Sequence, residues 1–148
     1  MKNILTVTLF TFLLYSCAGL YSQPPEPVTS EYFTTFGGGF TMRISNSREL
    51  FYGINILSRK TLEPTNIMVI TFQNPSSEIP FTKVSLVSDL ESSNIVKNAT
   101  TYILRSPLVE GVKQHTNYKI TVTLYKNSSK KELLATHEQL VNSSYTEN

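Results

Sequence analysis

Between Asn117 and Tyr125 polar and apolar residues alternate without a fault. Tyr118, Ile120, Val122 and Leu124 fall on one side, and Lys119, Thr121 and Thr123 on the other. A repeat of two belongs to an extended chain, whose successive side chains leave opposite faces. One buried side and one wet side mark a strand of an antiparallel sheet. This stretch constrains the rest of the chain, because such a strand needs others to complete its hydrogen-bond ladder and a second layer to cover its apolar side.

Further strands are legible. From Glu49 to Leu57, Leu50, Tyr52, Ile54 and Ile56 share a face, and Phe51, Gly53, Asn55 and Leu57 take the other. Ile67-Met68-Val69-Ile70-Thr71-Phe72 is continuously apolar and predicts a central strand. Asn74-Pro75-Ser76-Ser77 is a turn, and strand resumes over Phe81 to Val87, with Val84 and Leu86 on one face. Ile95-Val96 and Thr100 to Leu104 read as one strand interrupted near Lys97-Asn98. Glu132 to Val141 follows the polar turn Lys126 to Lys131, with Leu134 and Leu140 as inward candidates. Leu133 to Leu140 has the propensity of a helix, but a polar turn joining it to a clear strand predicts a hairpin. Tyr32 to Phe36 and Phe40 to Ile44 flank Gly37-Gly38-Gly39, which predicts a hairpin or a sharp strand break, since glycine reaches positive φ cheaply.

Short strands, frequent turns and no convincing helix give an all-β fold, an antiparallel two-sheet immunoglobulin-like sandwich over residues 31–142, with a flexible tail over 143–148. Composition agrees: 40% of the residues are hydrophobic and 16% charged, too apolar for disorder and too sparsely charged for a helical bundle. The net charge of +2 offers no basic face for nucleic acid. Leu108, Gly111, Asn117 and Tyr118, followed by Ile120, Val122 and Leu124, resemble the approach to the sixth strand of a fibronectin type III domain. That resemblance implies a tyrosine packing a corner ahead of an alternating strand. It covers under a third of the chain, and the chain has no tryptophan where that family usually has one, so the expectation is the sandwich class and not that family.

The front of the chain is of a different kind. Lys2 is followed by an uncharged greasy run, Ile4 to Tyr15, and by the small residues Ser16-Cys17-Ala18-Gly19, the order of a secretory signal. The run is shorter than the roughly 20 residues that span a bilayer. Leu14-Tyr15-Ser16-Cys17 resembles a bacterial lipobox, although Tyr15 stands where a smaller residue is usual. The resemblance implies cleavage between Ser16 and Cys17, loss of residues 1–16 as signal peptide, and a diacylglyceryl group on the Cys17 thiol. Residues 17–30, with Gln23-Pro24-Pro25-Glu26-Pro27, then form a proline-stiffened tether. Ala18 stands where some bacteria place an aspartate for retention at the inner membrane, so the resemblance implies the outer membrane. It implies a lipid partner through acylated Cys17 and a protein partner in the envelope, such as a secretion or pilus machine that this domain serves as an accessory. The same residues, Ser16-Cys17-Ala18, also fit ordinary cleavage after Ala18, which would release a soluble binding module, an adhesin or inhibitor.

Signs of catalysis are absent from the pattern. Cys17 is the only cysteine, so the remainder has neither a disulfide nor a thiolate metal site. His115 and His137 read as two partly exposed histidines. His137 and Glu138 are neighbours on a strand and point to opposite faces, so they cannot hold one ion together. Asp89 is the only aspartate, Glu110 reads as a solvated loop charge, and no hydrolase motif is present. The three glycines precede Phe40-Thr41-Met42, a strand and not the helix that a phosphate loop needs. The expectation is a non-enzymatic chain with no cofactor and no metal. Asn98-Ala99-Thr100, Asn127-Ser128-Ser129 and Asn142-Ser143-Ser144 match the glycosylation pattern and fall in or near turns.

Overall fold

A computed structural model describes residues 25–44, 48–96 and 99–144. The segment expected to be a signal peptide, Cys17 and both candidate cleavage sites, after Ser16 and after Ala18, lie outside the described residues, as does Asn98. Among the described residues, eight strands form two antiparallel sheets. In the first, β1 (Phe33–Ile44), β2 (Arg48–Ser58), β6 (Ala99–Arg105) and β5 (Ser92–Val96) lie in the order β1-β2-β6-β5. In the second, β3 (Ile67–Phe72), β4 (Phe81–Leu86), β7 (Asn117–Tyr125) and β8 (Leu133–Asn142) lie in the order β4-β3-β7-β8. The chain changes sheets after β2, after β4 through a 3-10 turn at Val87–Asp89, and after β6. This is the strand order of an immunoglobulin-type sandwich with one additional strand on the second sheet.

The inner faces are those that the alternation marks. Tyr52, Ile54 and Ile56 of β2, Met68, Ile70 and Phe72 of β3, Tyr102 and Leu104 of β6, and Tyr118, Ile120, Val122 and Leu124 of β7 are buried. Burying one such apolar side chain fully is worth about 1.5–3 kcal/mol, so the interior supports the fold without a cross-link. Tyr118 forms the corner implied by its position: the Lys113 N–H donates to its Oη at 2.8 Å. Tyr52 Oη donates to the Gln73 carbonyl at 2.5 Å, across the two sheets, and burial raises its pKa.

Four expectations need correction. First, the three glycines neither turn nor break the chain, because β1 runs through them with a single bulge between Thr35 and Gly37. Glycine serves close approach here: a Cβ on Gly38 would meet the Gly53 carbonyl oxygen at 2.8 Å, and one on Gly53 would meet the Leu104 carbonyl oxygen at 2.1 Å. Second, the segment read as one interrupted strand is two strands, β5 and β6, which pair antiparallel with Val96 opposite Ala99. Third, β8 buries His137, Gln139 and Val141; of the two inward candidates Leu134 is partly buried against the core, as expected, while Leu140 is 42% exposed. The cause is a shift of register. Leu124 pairs with Ala135 and Tyr125 with Leu133, so Leu134 is bulged out and the parity of the strand flips. Fourth, His137 is buried, 1% exposed, while His115 is exposed as expected.

Packing extends past both ends of the anticipated domain. Residues 25–30, assigned to the tether, lie along β1 and β8. Ser143, assigned to the tail, is fully buried, and its Oγ accepts from the Thr116 N–H at 3.1 Å.

Candidate functional site

β1 ends one sheet and β8 ends the other, and the two edges meet at one side of the sandwich. Residues 25–30 strap this seam. The strap turns back on the start of β1: Ser30 N–H donates to the Phe33 carbonyl at 2.7 Å and Thr35 N–H to the Val28 carbonyl at 2.9 Å, with Thr29 opposite Thr34. It also leans on β8. Val28 N–H donates to Gln139 Oε1 at 2.8 Å, and Gln139 Nε2 donates to the Glu26 carbonyl at 3.1 Å. One amide side chain thus does for β8 what a ladder would do, and the prolines on either side of Glu26 lack the N–H that a ladder would need.

His137 stands between the strap, β1 and β8. Its Nδ1 lies 3.0 Å from Ser30 Oγ and its Nε2 lies 2.8 Å from Thr35 Oγ1. Ser30 Oγ donates to the Phe33 carbonyl at 3.3 Å. That hydroxyl also accepts from the Phe33 N–H at 3.3 Å, and both of its bonds to Phe33 are longer than its approach to the ring, so the two hydroxyls, each able to donate or accept, satisfy a neutral ring in either tautomer. Phe33 meets the ring edge-on at 6.0 Å between centroids. Burial lowers the His137 pKa, and neither hydrogen-bond partner of the ring is a carboxylate. Glu138 points to the opposite face, where Lys119 lies 3.5 Å from it.

Beyond the strap the seam opens into a groove of about 450 Å³. Pro25 and Pro27 stand at one end, Gly37, Gly38 and Gly39 of β1 form one side, and Leu140 and Val141 of β8 form the other. Phe40 and Ile54 close the floor, with Phe40 stacked on Tyr52 at 4.9 Å and an interplanar angle of 19°. None of the lining side chains is charged. A shallower depression of about 310 Å³ lies on the outer face of the first sheet, where Phe51 is covered by the Arg105 guanidinium at 4.9 Å.

The residues weighed from sequence for chemistry are not assembled. His137 meets Ser30, Thr35 and Phe33, while His115 sits on the loop after Gly111, its N–H donating to the Ser143 carbonyl at 2.6 Å. Asp89 and Glu110 are exposed. Among the described residues no three His, Cys, Asp or Glu side chains are grouped to hold a metal ion, and no helix is long and apolar enough to cross a membrane. Of the asparagines in glycosylation patterns, Asn127 caps its own turn by accepting from Ser129, and Asn142 Nδ2 donates to Asn117 Oδ1 at 2.7 Å. The seam residues Ser30, Thr35 and Gln139 carry no motif. The one signal that reveals them is parity: counting back from Val141 by twos reaches Gln139 and then His137, two polar side chains on an inner face, which call for partners. In comparisons with protein-family models, curated proteins and solved structures, nothing matches this chain.

Proposed function

We propose that this chain is a non-enzymatic binding or scaffolding module, exported and held by a lipid on Cys17 in a bacterial cell envelope. The observation that supports binding is the uncharged groove between two sheet edges; in the adjoining depression of about 460 Å³, which Glu26, Lys119 and Glu138 line, the last two are paired with each other at 3.5 Å. A concave, largely apolar surface with a few polar groups at its rim suits recognition, whereas acid, base or nucleophilic chemistry needs paired titratable groups. The lipid anchor and the outer-membrane destination rest on Leu14-Tyr15-Ser16-Cys17 and Ala18. Service to a secretion or pilus machine rests on the lipobox resemblance alone.

A second reading, a soluble secreted module cut after Ala18, is favoured by the small residues Ser16 and Ala18 around the thiol. Labelling with radioactive palmitate and mass spectrometry of the mature N-terminus separate the two. An acylated Cys17 at the N-terminus, lost with its label and its membrane fractionation in Cys17→Ser, is the expected result. An unmodified Gly19 at the N-terminus would overturn the anchor and leave the soluble reading.

A further inference from the structure

We propose that an extended, uncharged peptide strand of a partner protein docks on the free edge of β1 from Phe36 to Ile44, adding a strand to the first sheet. The inference rests on the reading of this chain as a binding module and names the class of ligand. β1 pairs with β2 along one edge. Its other edge is taken at Thr34 and Thr35 by Thr29 and Val28 of the strap. Among the described residues no strand pairs with that edge beyond Thr35. The nine residues left over span roughly 30 Å of strand, enough for a continuous ladder. An open edge of this kind is a template for another chain, and folds ordinarily blunt it with charge, proline or bulges.

The edge of β1 is blunted only at its two ends. The bulge lies between Thr35 and Gly37, and Arg43 pairs with Glu49 of β2. Between them, Gly37 to Met42 has no charge and no proline, and three of its six residues have no side chain to shield the backbone. Two of the other three edges carry charge, Lys83 on β4 and the Glu138–Lys119 pair on β8, and the uncharged β5 is only five residues long, Ser92–Val96.

The groove lies alongside this bare segment and turns an open edge into a specific one. An added strand offers alternate side chains to the interior. Those side chains would enter between Phe40, Ile54 and Val141, where no charge could answer a charged ligand. The ligand is therefore a segment of about six to eight residues with apolar side chains at every second position, held by main-chain hydrogen bonds and selected by its alternate residues. The strap already shows the geometry, since Val28 and Thr29 take the same edge two residues upstream.

The test uses the purified full chain and a phage-displayed library of random peptides as probe. Selected peptides are synthesised with free backbone nitrogens and with alternate nitrogens methylated. The expected result is peptides with period-two apolar residues that slow amide exchange over Gly37–Ile44 and leave β4 unchanged. Methylation should weaken them at least about tenfold, as expected for main-chain pairing. Leu140→Lys, a change at an exposed wall residue that leaves the interior intact, should weaken them by a similar factor. Binding that tolerates methylation, or protection that falls on β4, β5 or the outer faces, overturns the edge proposal while the binding-module reading stands. A library that yields no peptide overturns the edge proposal too, and the Cys17 labelling result is independent of all these outcomes.

Discussion

Lowering the pH from about 7.5 to about 5.5 addresses the seam through one group, since an unshifted histidine titrates near 6.5 and unshifted carboxylates titrate lower. In the folded chain the His137 ring is neutral, buried, and satisfied on both nitrogens. Protonation would make both ring nitrogens donors toward the Ser30 and Thr35 hydroxyls, and would place a charge where no carboxylate is bonded to the ring. Burial accordingly lowers the folded pKa below the ordinary 6.5. As pH falls through 6.5 the unfolded chain takes up the proton first, so stability present at neutral pH is lost between 6.5 and the folded pKa. One proton bound only in the unfolded state gives a slope of at most about 1.4 kcal/mol per pH unit. Urea unfolding of wild type and of His137→Gln across this window is the assay. The wild-type stability should fall by up to about 1.4 kcal/mol per unit below pH 6.5, while the variant lacks that increment. Two parallel stability curves would refute the assignment of a neutral, unpaired-by-charge histidine to the seam.

Three further predictions concern the frame around the seam. Tyr118→Phe leaves the Lys113 N–H without its acceptor and should cost about 1–3 kcal/mol in urea unfolding with an unchanged β-rich circular dichroism spectrum. Gly53→Ala forces a Cβ against the Leu104 carbonyl oxygen at 2.1 Å, so β2 and β6 must part; the loss should reach or exceed the about 1–3 kcal/mol typical of overpacking, read as a fall in melting temperature. Gln139→Leu removes two of the bonds that fasten the strap to β8 and leaves the contact of His137 with Ser30, so amide exchange should quicken at Val28 and Thr35 while Ile120 and Val122 of β7 stay protected.

The corrections locate what a linear reading can reach. Tyr118 to Leu124 announce their own face because β7 lies inside a sheet, with one side packed and one side wet. β8 misleads because one bulged residue, Leu134, reverses every later position, and a bulge is a property of two paired strands that neither strand displays alone. The glycines of β1 mislead for a related reason. Local conformational freedom suggests a turn, yet their use is to let β1 approach β2 at Gly53, a residue distant along the chain. The polar inner face of β8 makes sense only with the strap beside it, because His137 and Gln139 satisfy their nitrogens and oxygen on residues more than a hundred positions away.

Periodicity and turn chemistry along the chain were enough to determine an all-β, two-layer domain held by its apolar interior, since alternation, apolar runs and breaking residues act over a few neighbouring positions. For the front segment the order of charge, apolar run and small residues is what the export proposal rests on. Tertiary structure decided which strand edges remain open, which of the polar residues are buried, and where the groove lies. Those features depend on register and on pairing between distant segments, where a shift of one residue moves a side chain from the interior to the solvent.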